Sequence, residues 1–210
     1  IGTGGGVYAS AGTTAVMHNT LVAENERGTA APTRNDLAGA FSGTFNLISV
    51  IDGGTGLLDG VNGNQVGSAA LPLDAMLRDL DSNGGPTKTI RMEHGSIAID
   101  AGNNAAAEAA GLVFDQRADY WDFATYQGDH DRFVDYGHED GIATVDIGAV
   151  EMSPWVVDRT DYTYNGDFSQ GDLTLREAVA AAGHAAVPGI DTIVFSPAIH
   201  GQTIDMTHPI

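Results

Sequence analysis

The apolar residues of this chain come in short runs cut by glycine and asparagine, a spacing that leaves little room for long helices. In residues 4–25, GGGVYASAGTTAVMHNTLVAEN, the β-prone runs Val7-Tyr8, Thr14–Met17 and Thr20–Val22 alternate with small turn residues. Strands this short cannot stand alone and must stack on neighbours. The composition agrees, because 28 glycines against 7 prolines and an aromatic fraction of 7% favour short strands and tight turns. A coil of a parallel β-helix has this grammar, so an all-β solenoid is the expectation. Asn19 and Asn25 fall at the turns. Each either bridges to a neighbouring coil or caps its own backbone, and the second role is the expected one.

From Asp36 onward the segments FNLI, TGLLDGVNGNQVG, DSNGGPTKT, GSIAIDAG, FDQR and DIGAVE follow in that order. Together they resemble the choice-of-anchor Q domain over about residues 5–152. The resemblance implies the C-terminal coils and irregular closing segment of a right-handed parallel β-helix, as carried by large bacterial surface and secreted proteins. Further on, GDLTLREAVAAAG followed by GIDTIVFSPAIHGQTIDM resembles the CSLREA segment that opens such β-helices, without the cysteine of that family's name.

The residues themselves place one short capping helix here. Thr174 and Glu177 have the spacing of a capping box, alanines follow, and Gly183 is a natural stop, which predicts a helix over 174–183. Thr192–Phe195 and Thr203–Met206 then read as strands. Three parts result: the end of one β-helix at 1–152, an acidic linker at 153–172, and a helix with the first strands of a following unit at 173–210. The chain begins in mid-pattern. It is expected either to be a piece of a longer tandem array or to be completed by neighbouring copies.

Nine basic residues face 28 acidic ones, a formal net charge of −19. That field repels nucleic acid and anionic membrane surfaces. No apolar run approaches the roughly 20 residues of a membrane span, so membrane insertion is not expected either. Without cysteine, neither a disulfide framework nor a thiolate metal site can form. An acidic surface suits a calcium-containing exterior, where cations screen or bind it, and it equally suits plain solubility. Together with the family resemblance, this points to an extracellular or cell-surface location.

The acidic linker carries the best metal candidate. Counting from Asp161, oxygen-bearing side chains fall at the alternating places and the twelfth of a calcium loop: Asp161, Thr163, Asn165, Asp167, Ser169 and Asp172. Gly166 stands at the sharp turn, and a helix follows. Calcium is therefore the expected cofactor, against the alternative of a solvated linker whose Asp and Asn residues only make turns. The residue at the third place is Thr, and the last is Asp rather than the longer Glu of a standard loop.

A second cluster, Asp122, Asp129, His130, Asp131, Asp135, His138, Glu139 and Asp140, mixes ligand types in what resembles a variable insertion. A solvated loop is the expected reading. Asp100, Asp115, Arg117, Asp146 and Glu151 lie in the closing motifs. Paired carboxylates can serve acid–base chemistry, but a guanidinium among carboxylates also ties chain segments together. The structural role is expected, with no catalytic residue and no enzyme activity. His18, His94, His184, His200 and His208 are scattered and match no metalloenzyme motif, and GTGGG lacks the flanking strand and helix of a dinucleotide site.

The expected function is a structural module of a stalk, fibre or adhesin, self-associating head to tail or stacking on adjacent tandem modules. A stack with open ends needs caps or another copy. The alternatives are a carbohydrate-active enzyme acting on acidic polysaccharide and a non-catalytic module that binds surface glycans.

Overall fold

The computed structural model describes residues 5–28, 31–81, 83, 87–93, 95–117, 132–133, 142–152, 155–166, 172–182 and 193–205. Its longest strand, β6 (Leu37–Thr44), organises the first part of the chain. Strands β1 (Val7–Tyr8) and β2 (Thr14–His18) pair with it in parallel, facing Leu37-Ala38 and Ala40–Thr44. Strand β8 (Gly53–Thr55) pairs with Ala38–Ala40, also in parallel. Since Ala38 and Ala40 each have a partner on both sides, β1 and β2 lie end to end along one edge of β6 and β8 lies along the other. A second parallel sheet continues this layering, with β3 (Leu21–Val22), β7 (Leu47–Ile48) and β9 (Gln65–Val66) side by side.

Three more pairs complete the sheets. β4 (Glu26–Arg27) and β5 (Thr33–Arg34) are antiparallel, as are β10 (Leu77–Asp81) and β11 (Thr89–Met92). β12 (Trp155–Val157) and β13 (Ile193–Phe195) are parallel. β12 falls within the stretch read from sequence as linker.

The expected right-handed parallel β-helix is therefore overturned. The strands are divided among five separate sheets of two to four strands, and no closed or solenoid sheet occurs among the described residues. The physical reason lies in the spacing. Val7 faces Leu37, Leu21 faces Leu47, Leu47 faces Gln65 and Ala38 faces Gly53, so lateral partners recur at no fixed interval. Antiparallel hairpins at β4–β5 and β10–β11 also reverse the chain where a continuous winding would have to advance. The short-strand reading held locally, because Val7-Tyr8, Thr14–Met17 and Ile193–Phe195 are all strand. Thr203–Asp205 is not; there the Asp205 N–H donates to the Thr160 carbonyl at 2.7 Å instead of to a strand. Met206 lies outside the described residues.

Helix formation among the described residues exceeds the sequence expectation by one α-helix and a one-turn 3-10 helix at Pro197–Ile199. α2 (Leu175–Ala182) starts one residue after Thr174, with the predicted capping box in place: Glu177 N–H donates to Thr174 Oγ1 at 3.2 Å, and Thr174 N–H donates to Glu177 Oε2 at 3.1 Å. The unexpected α-helix is α1 (Asn104–Ala109), whose N-cap Asn103 accepts from Ala106 N–H at 3.2 Å. No helix among the described residues is long and apolar enough to cross a membrane.

Three apolar clusters form the core. Val22, Leu37, Phe41, Ile48 and Leu57 pack between the two parallel sheets. Leu47, Met92, Ile99, Ile147 and Met152 join the second sheet to the closing segment. Trp155, Val157, Leu173, Ala178 and Ile199 form a third, around β12 and α2. Trp155 is also gripped from the first part of the chain, since the Arg91 guanidinium lies 3.8 Å from its ring centre and that of Arg78 lies 5.5 Å away.

Buried asparagines tie the layers of strands together. Asn64 Oδ1 accepts from Asn46 N–H and Asn46 Nδ2, while Asn46 Oδ1 accepts from Thr20 N–H, so the amides form a ladder across three turns. Asn19 departs from expectation by bridging rather than capping itself. It exchanges two hydrogen bonds with the backbone of Asn103, at 2.8 and 3.0 Å. Asn25 does both, donating to Ala23 in its own turn and to Asp36.

Gly43 is where the first two strand layers come closest. Its φ is 133°, and a Cβ there would stand 1.7 Å from the Met17 carbonyl oxygen. Gly43→Ala should therefore cost well over the roughly 1 kcal/mol of an unhindered left-handed glycine. Gly60, with φ 70° and nothing within 4 Å, provides that reference. Urea unfolding of the two alanine variants checks this, and equal losses would mean that β2 does not sit on β6 in this register.

Candidate functional site

Buried charge concentrates where three stretches of chain meet. The turn at Asp115–Arg117 brings a carboxylate and a guanidinium together, both almost wholly excluded from solvent. Asp115 Oδ2 accepts from Arg117 Nε at 2.9 Å and Nη2 at 2.5 Å, while Asp115 Oδ1 accepts from the Arg117 backbone N–H at 2.6 Å. The pair then reaches across to the closing segment. Arg117 Nη2 donates to the Glu151 carbonyl at 2.6 Å, and Glu151 N–H donates to Asp115 Oδ2 at 2.8 Å.

The carboxylates of that closing segment complete the network. Glu151 Oε2 accepts from the backbone N–H of Asp146 at 2.8 Å. Asp146 accepts in turn from the N–H groups of Asp100 and Met152, at 2.7 and 2.5 Å. Arg132 approaches from a third stretch, with its Nε 3.1 Å from Glu151 Oε1 and its Nη2 donating to the Gly148 carbonyl at 2.6 Å. The Arg132–Glu151 contact is an ion pair without an aligned hydrogen bond, as both facing atoms lack a hydrogen-bond partner.

Burial decides the protonation of this cluster. Loss of water pushes Asp146 up to about 7, partly offset by the backbone N–H bonds from Asp100 and Met152. Loss of water likewise pushes Glu151 up to about 8, reinforced by the negative charge of Asp146 and opposed by Arg132.

The sequence brought Asp100, Asp115, Arg117, Asp146 and Glu151 forward as a structural tie, and the structure assembles all five in one place. Arg132 was missed. The available signal was that a lone arginine sits inside a run of Asp and His, in a chain with only nine basic residues.

The acidic loop has a different centre. Asp161 accepts from Arg159 Nε and Nη2, both at 2.8 Å, and Asp172 accepts from Arg159 Nη1. The Thr163 hydroxyl donates to Asp161, and Asn165 Nδ2 donates to Asp172 at 2.5 Å. The Thr163 hydroxyl first, and Arg159 second, hold the Asp161 carboxyl below its usual range. Two of the six expected ligands, Asp161 and Asp172, thus meet on the Arg159 guanidinium, and Thr163 and Asn165 donate to those two carboxylates. Asp167 and Ser169 lie outside the described residues, as do all eight members of the second acidic cluster. Gly166 has the left-handed φ of 76° that a sharp turn requires. Glu177, fully buried, accepts from the N–H groups of Asn165 and Gly166 at 2.7 and 3.2 Å, so the helix cap also anchors the loop. Among the described residues, no three His, Cys, Asp or Glu side chains are grouped to hold a metal ion.

An open groove of about 1310 Å³ runs between β3, the β10–β11 pair, α1 and the closing segment. Its walls are largely apolar, with Leu80, Ile90, Leu112 and Phe114 exposed along it. Asp115 and Arg132 reach it, yet both are already engaged in the buried network. The buried charges beside the groove tie chain segments together, while Lys88 and Gln116 add polar groups to its lining. No protein-family model matches the chain, and comparison with curated proteins and with solved structures finds no match.

Proposed function

We propose that this chain is a non-catalytic structural module of a secreted or cell-surface protein, a segment of a stalk, fibre or adhesin. It associates head to tail with another copy or with an adjacent tandem module. One observation carries the reading: the four-stranded parallel sheet is open on both sides. β2 on one edge and β8 on the other hydrogen-bond to no further strand among the described residues. An edge strand presents unpaired N–H and C=O groups. Unlike edges at opposite sides of one sheet suit a heterologous contact, which propagates when its geometry does not close. The resemblance to surface-protein modules and the engagement of the buried carboxylates in structural bonds support the same reading.

Val16 offers a test that leaves the fold intact. It lies on β2 with its side chain 66% exposed. Asn19 N–H donates to the Thr44 carbonyl, and the Met17 carbonyl faces Gly43, so alternation turns the Val16 N–H away from β6. Val16→Pro removes an outward donor only. In sedimentation at moderate salt, where the −19 charge is screened, the parent chain should associate with increasing concentration. Val16→Pro should stay monomeric with an unchanged circular dichroism spectrum. A parent chain that is monomeric at high concentration, with calcium and without it, would overturn the proposal.

Calcium in the acidic loop is the second reading, favoured by the two carboxylates Asp161 and Asp172 that meet on one cationic group, Arg159. An ion there would displace Arg159 and stabilise the folded state by mass action. The thermal midpoint should then rise in calcium relative to chelator, and Asp172→Asn should remove the rise. Identical midpoints for the parent chain in both would leave the loop as an arginine-tied turn.

A further inference from the structure

The closing segment holds more negative charge than its counterions match. Asp115 is satisfied by Arg117, through three of the bonds described above. Asp146 and Glu151 then remain, each about 1% exposed, with the Arg132 guanidinium against Glu151; the Arg117 guanidinium, which donates to the Glu151 carbonyl, is already paired with Asp115. Two ionised carboxylates against a single cation, away from water, would leave one charge uncompensated in the interior, a situation that proteins relieve by keeping a proton.

We propose that residues 145–152 form a proton-operated latch: one proton held between the Asp146 and Glu151 carboxyls keeps this segment docked on Ala98–Asp100, and its loss releases the segment. The docking bonds are specific. Ile147 N–H donates to the Ala98 carbonyl at 2.8 Å, Gly102 N–H donates to the Val145 carbonyl at 2.8 Å, and Asp146 accepts from Asp100 N–H. Among the described residues, the charged groups facing the pair are Asp100 from the docked segment, Asp115 and Arg117 from the adjoining turn, and Arg132.

The sign follows from the direction of the shifts. Both carboxyls bind a proton more tightly in the folded chain than in the unfolded one, Asp146 to about 7 and Glu151 to about 8. Their contribution to stability is complete below the ordinary carboxylate range near pH 4 and is lost as pH rises through those two values. The latch is therefore shut in mildly acidic solution and loosens above neutrality, opposite to the usual loss of salt-bridged carboxylates in acid. This device is independent of the sheet edges invoked for assembly.

The test compares thermal unfolding of the full chain at about pH 5.5 and about pH 8.5, in about 0.5 M salt to screen the general repulsion of an acidic surface. The parent midpoint should fall markedly between the two. Glu151→Gln should flatten that dependence, since the amide keeps an oxygen to accept from Asp146 N–H but does not titrate. A second measurement holds even if the variant fails to fold: carbon NMR titration of the parent chain should show the Asp146 and Glu151 carboxyl carbons shifting together near neutrality as the pair takes up one proton. A parent slope unchanged by Glu151→Gln, or carboxyls that all titrate in the ordinary range, would overturn the latch.

Discussion

The fold of the first part of this chain depends on the buried pairing of Arg117 with Asp115 and on its reach to Glu151. Arg117 heads the fully buried side chains by size, and burying a guanidinium costs several kcal/mol unless its donors are met. Here they are met by a carboxylate and a backbone carbonyl belonging to stretches far apart in sequence. Such a pair adds little net stability over a well-packed apolar substitute. It does penalise every arrangement in which the turn at 115–117 and the segment at 146–152 fail to meet, because each alternative strands a charge in the interior.

That constraint places the apolar core. With Glu151 and Asp146 fixed, Ile147 and Met152 enter the cluster that also holds Leu47, Met92 and Ile99. Asp146 fixes Asp100 by its backbone N–H. Gly148 N–H donates to the Asn19 carbonyl at 3.0 Å, and Asn19 is bound on its other side to Asn103, so the closing segment is sewn to the turn before β3. Charge, amide and apolar contacts thus converge on one small region, while the edges of the four-stranded sheet at β2 and β8 are left without a strand partner among the described residues.

Local features were legible in the sequence to the extent that they depend on adjacent residues. The strands at Val7-Tyr8 and Thr14–His18 and the Thr174–Glu177 capping box follow from residue preferences acting over a few positions. Lateral order was not legible, because pairing Leu21 with Leu47 and then with Gln65 depends on loop lengths that no short-range pattern encodes. An assumption of uniform coils therefore produced a solenoid where the chain builds separate small sheets. α1 drew no sequence expectation: Asn103 caps it, but the alanine-rich stretch that follows is only six residues long. In the closing site the carboxylates and Arg117 were visible as a group, whereas Arg132 was hidden within an acidic run. At the acidic loop, the oxygen spacing was legible, but Arg159, just before the motif, was not considered as the cation that Asp161 and Asp172 embrace.

Native-state hydrogen exchange at mildly acidic pH tests the central claim most directly, read at the amides of Asp100, Asp146, Glu151 and Met152, all of which donate to buried carboxylates. If the arginine-bound network closes the fold, these four should exchange only by global unfolding. In Arg117→Ala they should lose protection together, with stability reduced by about 3–5 kcal/mol. If they exchange as fast as exposed amides in the parent chain, or keep their protection when Arg117 is removed, the fold does not depend on this network.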